Sequence, residues 1–317
     1  MMRRAARTLL VLSALTLGGC HFDGIAGAAD DWTPGLAAHD VAVGDLTRRY
    51  LVHVPSKRPT TTAGTIRSYS LVIVLHGSSG SADEIRRTTG MDSLSDAGRF
   101  LVAYPQGVQG AGGLFPSDWN AGTCCGEAAR ENIDDVGFIS ALITDVGQNL
   151  ALDKRRIYVA GFSDGGRMAH HLGCKLASTI AAIAVVSGSL KDDSCAPAKV
   201  VSVLAVHGTS DDQVPFDDPA LTDPPAPLFG VAAALPPSIQ FWIAANGCGS
   251  GTQDQPAADV LRTSFVTCNG AEVVFYTIEG GSHAWPGDPG GAGSQPPMSE
   301  VQASRVITQF FARQVRR

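Results

Sequence analysis

Charge is scarce in this 317-residue chain: Asp, Glu, Lys and Arg make up 17% of it, and no basic run occurs along it. A net charge of −6 argues against nucleic acid or an anionic membrane surface as the main partner. Long apolar runs are also missing. The N-terminal one, residues 8–17, has at most ten residues, too few to span a bilayer. There is no C-x-x-C and no Cys/His cluster at ligand spacing, so no zinc site is read and no metal is expected. No internal repeat recurs, and the 36 glycines are scattered, which excludes a fibre or a solenoid. Apolar residues at 44% exclude wholesale disorder and supply a sizeable core.

What is present begins with a targeting signal. Arg3, Arg4 and Arg7 precede the short apolar run, as in a signal peptide. The run ends in Leu17-Gly18-Gly19-Cys20, which resembles the lipobox of bacterial lipoproteins. On this reading residues 1–19 are the signal peptide and Cys20 is lipidated as the first mature residue. Residues 20–36 form an Ala/Gly-rich tether, and residues 37–317 form one folded domain. The membrane is then a partner through the lipid anchor. Six cysteines remain, an even number that suits disulfides in an exported chain. Cys248 and Cys268 flank one loop between a helix end and a strand, and are expected to pair. Cys124 and Cys125 are expected to pair with Cys174 and Cys195, in either order, because a vicinal bond closes a strained ring.

Strand signals recur at residues 50–54, 70–75, 100–104, 156–160, 182–186, 200–206 and 273–278. Helical spacing appears at 136–150, 167–176, 238–245 and 299–315. Strands alternating with helices predict a mainly parallel sheet with helices on both faces. Pro/Gly-rich stretches at 217–237 and 286–297 read as surface loops within the same domain.

Gly161-Phe162-Ser163-Asp164-Gly165 matches G-x-S-x-G, between a strand signal and a helix signal. That setting places a serine on a tight strand-to-helix turn with its hydroxyl exposed, and Gly161, Gly165 and Gly166 make room for the turn. A serine hydroxyl needs a base to take its proton and an acid to orient the base, in the chain order Ser, Asp/Glu, His. After the 200–206 strand comes His207-Gly208-Thr209-Ser210-Asp211-Asp212, and after the 273–278 strand comes Gly280-Gly281-Ser282-His283. Ser163, Asp211 and His283 are therefore the candidate triad, with Asp212 the alternative acid. The loop His76-Gly77-Ser78-Ser79-Gly80 follows an apolar strand and offers an oxyanion donor, assigned to the Ser78 N–H rather than that of Gly77. The second donor is the Asp164 N–H. His76, His170, His171 and His207 read as packing or surface residues. Asp134 and Asp135 open a helix and read as an N-cap rather than a metal pair. Trp119 and Trp285 are core aromatics by default, but their loops flank the presumed site and make them candidates for substrate contact.

The pieces HGSSGSADE, YPQG, DWNAGTCCGEA, DDVGFI, RIYVAGFSDGGRMAHHL, HGTSDDQVP and GGSHAWPG resemble the polyhydroxybutyrate depolymerase/feruloyl esterase-like family, of the carbohydrate esterase family 1 type. The resemblance runs from about residue 41 to the C-terminus. It implies an α/β-hydrolase fold, no cofactor and hydrolysis of carboxylic esters, with Ser163 as nucleophile, Asp211 as acid and His283 as base. It also implies short-chain, hydroxyalkanoate-oligomer or feruloyl/acetyl-type ester substrates. With no appended binding domain read after the last helix, soluble esters are expected to be turned over better than solid polyester. Two rivals remain at this stage: a secreted serine peptidase of the same fold, and a non-catalytic surface-binding lipoprotein.

Overall fold

The computed structural model describes residues 32–61, 64–65, 67–109, 117–124, 126–217, 235–288 and 301–317. The signal peptide, the lipidation candidate Cys20 and most of the two Pro/Gly-rich loops lie outside them.

Runs of β-branched residues build the sheet, because such side chains pack well on both faces of a buried pleat. In chain order the elements are β1 (Gly35–Val43), β2 (Leu46–Val54), β3 (Tyr69–Leu75), α1 (Ala82–Thr89), α2 (Met91–Gly98), β4 (Leu101–Pro105), β5 (Val108–Gln109) and β6 (Ser117–Asp118). They continue with α3 (Gly126–Arg130), α4 (Asp135–Asn149), β7 (Leu152–Phe162), α5 (Asp164–Lys175), β8 (Ala182–Val186) and β9 (Ser202–Gly208). The last are α6 (Pro237–Ala245), β10 (Thr252–Ala257), β11 (Val260–Cys268), β12 (Ala271–Ile278) and α7 (Ala303–Arg313). Ten strands form one sheet in the order β1-β2-β4-β3-β7-β8-β9-β12-β11-β10, and β5 pairs with β6 separately. The run from β4 to β12 is parallel, and antiparallel strands close both edges.

Side chains alternate between two cores, one on each face. Along β3, Leu71, Ile73 and Leu75 face a core shared with α4, α5 and α6. Val72 and Val74 face the other, shared with α1, α2 and α7. The expected parallel sheet covered on both sides is the α/β-hydrolase arrangement. The expected strands and helices all form, with the 299–315 helix shortened to α7. The edge strands β1 and β10, the neighbouring β11 and the helices α1 and α2 add to the elements expected from the sequence.

Two expectations are corrected. The tether is expected to reach residue 36, yet the indole of Trp32 stacks on His39 at 4.0 Å and β1 begins at Gly35. The disulfide pairing also differs. Cys248–Cys268 forms as expected, but Cys174 pairs with Cys195 rather than with Cys124 or Cys125. Cys174 lies in the last turn of α5 and Cys195 in the loop after β8, with their Cα atoms 5.2 Å apart, within the reach of a disulfide. Cys124 is also disulfide-bonded, to none of these four; Cys125 lies outside the described residues.

Asp134 caps α4 as expected, its Oδ1 accepting the Gly137 N–H at 2.7 Å. Asp135 turns inward instead. One oxygen accepts from Arg48 at 2.7 Å and the other from the Asn120 N–H at 2.8 Å, while the guanidinium carbon of Arg48 lies 4.2 Å from the Phe138 ring centroid. Both members of this pair are buried. Removing one partner strands a charge in the interior, which costs more than the pair itself contributes. Arg48→Met, which keeps an apolar stem over Phe138, should therefore lower stability by about 3–5 kcal/mol in chemical denaturation. A loss below about 1 kcal/mol would show that water reaches Asp135.

Candidate active site

The turn from β7 into α5 is built by backbone packed on backbone. A Cβ at Gly161 would lie 2.0 Å from the Gly165 carbonyl oxygen, and one at Gly165 would lie 2.4 Å from the His76 carbonyl oxygen. Neither position accepts a side chain. Ser163 sits between them at φ 55° and ψ −118°, a conformation that costs a non-glycine residue energy. Its N–H donates to the Val186 carbonyl at 2.9 Å and its carbonyl accepts from the Arg167 N–H at 3.0 Å, which holds the strained residue at the tip of the turn.

The acid and base loops leave neighbouring parallel strands, β9 and β12, with Gly208 opposite Ile278. A Cβ at Gly208 would meet the Gly281 carbonyl oxygen at 2.1 Å, so the two loops touch through bare backbone. The Ser210 N–H donates to the Gly281 carbonyl and the Thr209 N–H to the Ile278 carbonyl, each at 2.9 Å. This contact brings together residues 72 apart in sequence, with His283 Nδ1 2.8 Å from Asp211 Oδ2; His283 Nε2 in turn lies 2.9 Å from Ser163 Oγ, 120 residues away. The chain is consistent with the tautomer carrying its proton on Nδ1, which leaves Nε2 to accept from the serine hydroxyl.

Asp211 is buried, and Asp212 is exposed. Burial alone would raise the Asp211 pKa. Hydrogen bonds from His207 and His283, with the Val214 N–H at 2.9 Å, hold it instead far below the usual carboxylate range. The sequence-assigned triad is thus brought together, with Asp211 and not Asp212 on the histidine. His207 was read as a packing residue, and it is buried, but its Nε2 also lies 3.3 Å from Asp211 Oδ2 while bonding the Val214 carbonyl at 2.8 Å.

The oxyanion loop crosses close to the serine: a Cβ on Gly77 would lie 3.2 Å from Ser163 Cβ. The Ser79 N–H is occupied by the Ser117 carbonyl at 2.8 Å and the Gly80 N–H by the Gly77 carbonyl at 3.0 Å. The Gly77 and Ser78 N–H groups lie on the same loop beside these committed amides, and Ser78 is the expected donor. The Asp164 N–H opens α5, where the first amides of a helix have no partner within it. His76 is buried and its pKa is pushed down to about 4 by desolvation, so its ring is neutral. Its Nε2 accepts the Gly107 N–H at 2.9 Å and its Nδ1–H faces the Gly77 carbonyl at 2.8 Å.

The two tryptophans are corrected as candidates for substrate contact. Trp119 is wholly buried, and its Nε1–H donates to the His76 carbonyl at 2.9 Å. Trp285 is 3% exposed, and its Nε1–H donates to Ser304 Oγ at 2.9 Å. Neither indole lines an accessible surface. The aromatic ring beside the histidine is that of half-buried Phe162, 5.0 Å away between centroids. Among the described residues no group of three or more His, Cys, Asp or Glu has the geometry to hold a metal ion.

Sequence reasoning missed the Asp164 side chain. It is fully buried, with Oδ2 accepting the Trp119 N–H at 3.0 Å and Oδ1 without a hydrogen-bond partner. Burial, helped by the nearby Asp118 and Asp135 carboxylates, pushes its pKa up to about 6 despite the Trp119 N–H and Arg167. The available signal was an acidic residue beside a nucleophile in a turn that leaves little room for a solvent-facing side chain.

Residues 58–271 match the family described as Esterase PHB depolymerase. A putative esterase NocK of Nocardia uniformis subsp. tsuyamanensis is 30% identical over 269 residues, covering 79% of this chain and 74% of that protein. A probable feruloyl esterase C of Aspergillus niger is 26% identical over 288 residues, covering 88% of this chain and 90% of its own. Among solved structures, an acetyl xylan esterase from Aspergillus awamori shares the fold with a TM-score of 0.57 at 14% identity, over 79% of this chain and 95% of that one. The chain belongs to the Esterase PHB depolymerase family and is a carboxylic ester hydrolase.

Proposed function

We propose that this esterase works through an acyl-serine intermediate formed on Ser163. The observation that carries the reading is the unbroken hydrogen-bond chain from Ser163 Oγ through the His283 ring to Asp211. His283 Nε2 takes the hydroxyl proton as Ser163 Oγ attacks the ester carbonyl carbon, and the anionic Asp211 stabilises the imidazolium that results. The tetrahedral oxyanion is met by the Ser78 and Asp164 N–H groups. Its collapse breaks the ester C–O bond, and His283 delivers the proton to the leaving alcohol. Water, deprotonated by the same nitrogen, then releases the acid and restores the serine.

The substrates proposed are soluble short-chain, hydroxyalkanoate-oligomer or feruloyl/acetyl-type esters, in keeping with the feruloyl and acetyl xylan esterases among the similar proteins. The enzyme acts outside the cytoplasm, held to a membrane by lipid on Cys20. The lipobox-like sequence supports the anchor. The disulfides at Cys124, Cys174, Cys195, Cys248 and Cys268 support an oxidising compartment.

Ser163→Ala should lower kcat on a p-nitrophenyl ester by about three orders of magnitude or more and abolish fluorophosphonate labelling, with the melting temperature little changed. Asp211→Asn should lose far more activity than Asp212→Asn. Persistent labelling of Ser163→Ala, or an inactive Asp212 variant beside an active Asp211 variant, would overturn the assignment. Cys20→Ala in cells should move the enzyme out of the membrane fraction at unchanged specific activity. Retention in the membrane fraction would sink the anchor.

A further inference from the structure

We propose that the Asp164 carboxylate is a positioning residue for the oxyanion loop, acting through Trp119 on both ends of the Gly77-Ser78 segment. This rests on the acyl-serine reading above and adds a role for a side chain which that mechanism does not use. Asp164 Oδ2 accepts the Trp119 N–H at 3.0 Å, across 45 residues of sequence. The segment it anchors, residues 117–119, then grips the oxyanion loop twice. The Trp119 Nε1–H bonds the His76 carbonyl at 2.9 Å, and the Ser117 carbonyl accepts the Ser79 N–H at 2.8 Å. Gly77 and Ser78, the candidate donors, lie between these two clamps.

Packing alone does not account for an aspartate here. It is completely buried, one of its oxygens has no hydrogen-bond partner, and two further carboxylates, Asp118 and Asp135, lie near enough to oppose its ionisation. An apolar residue of similar size would fill the space and remove the unpartnered oxygen, but it would leave the buried Trp119 N–H without an acceptor. What the carboxylate supplies is an acceptor aimed at the Trp119 amide from the turn that carries the nucleophile. Its own backbone N–H is the second oxyanion donor, so one residue sets the distance between the two halves of the hole. The His76 carbonyl is held between the Trp119 indole N–H and the close backbone of Gly165. A shift of Trp119 therefore moves the loop relative to Ser163. Oxyanion donors act chiefly on the transition state, so the loss should appear in kcat rather than KM.

The test uses Asp164→Ala, Asp164→Asn, Trp119→Phe and the Asp164→Ala/Trp119→Phe double variant, assayed on p-nitrophenyl acetate. A phenylboronic acid serves as the tetrahedral mimic. Asp164→Ala and Trp119→Phe should each lower kcat about tenfold or more with KM within about threefold, and boronate affinity should fall in parallel. Asp164→Asn should recover most of the loss, because its amide oxygen still accepts the Trp119 N–H. The double variant should be little worse than the poorer single, since both cut one relay. The proposal is overturned by an Asp164→Ala enzyme with full kcat, by a loss confined to KM, by an Asn variant as impaired as the Ala variant, or by additive losses. If Asp164→Ala does not fold, Trp119→Phe, which keeps an aromatic ring in the cavity, decides by the same kcat and boronate criteria. Fluorophosphonate labelling separates the two readings: a wild-type enzyme that does not label at Ser163 refutes the acyl-serine mechanism. One that labels, beside an unimpaired Asp164→Ala variant, refutes only the positioning role.

Discussion

The catalytic end of this molecule depends on main chains meeting without side chains between them. At the nucleophile the glycines at 161 and 165 let the turn close on the His76 carbonyl, and at the acid and base Gly208 meets Gly281. These contacts fix the spacing of four loops that leave the ends of β3, β7, β9 and β12. Hydrogen-bonding distances within the triad follow, because β9 and β12 are adjacent and in parallel register while β7 lies two strands from β9. The strain at Ser163 is tolerable for the same reason. Its backbone is hydrogen-bonded to Val186 on one side and Arg167 on the other, which offsets the cost of the strained conformation.

Much of this was legible in the chain because glycine and β-branched residues report on backbone constraints directly. The parallel strands read clearly, since strands buried on both faces appear as unbroken apolar runs. The edge strands did not. β10, Thr252–Ala257, is mostly polar and largely exposed, and its pairing with β11 comes from tertiary context rather than from pattern. Helix α1 did carry a signal that went unread: Ser81 caps it by accepting the Glu84 N–H at 3.1 Å, the S-x-x-E spacing of a capping box. The triad was legible because chain order and strand-end position constrain it together. The disulfide partners of Cys174 and Cys195 were not, because pairing depends on how close a helix end comes to a later loop, and no local spacing encodes that. Nor was the burial of Trp119 and Trp285 legible. A tryptophan in a loop beside a site looks the same in sequence whichever way its ring turns.

Two aspartates in one site show how far surroundings, rather than residue type, decide chemistry. Asp211 and Asp164 are both buried, and desolvation pushes both towards the neutral form. At Asp211 two histidines and a backbone N–H overcome that penalty, and the carboxylate stays ionised against the His283 ring. At Asp164 a single N–H and Arg167 do not overcome it, so its pKa is pushed up to about 6, and one oxygen has no hydrogen-bond partner. A persistent negative charge beside the oxyanion would oppose the developing charge of the transition state, whereas a carboxyl that ionises reluctantly still accepts a hydrogen bond. Of the two carboxyls, the one that holds His283 is therefore the more firmly ionised, and the one beside Ser163 the more easily protonated.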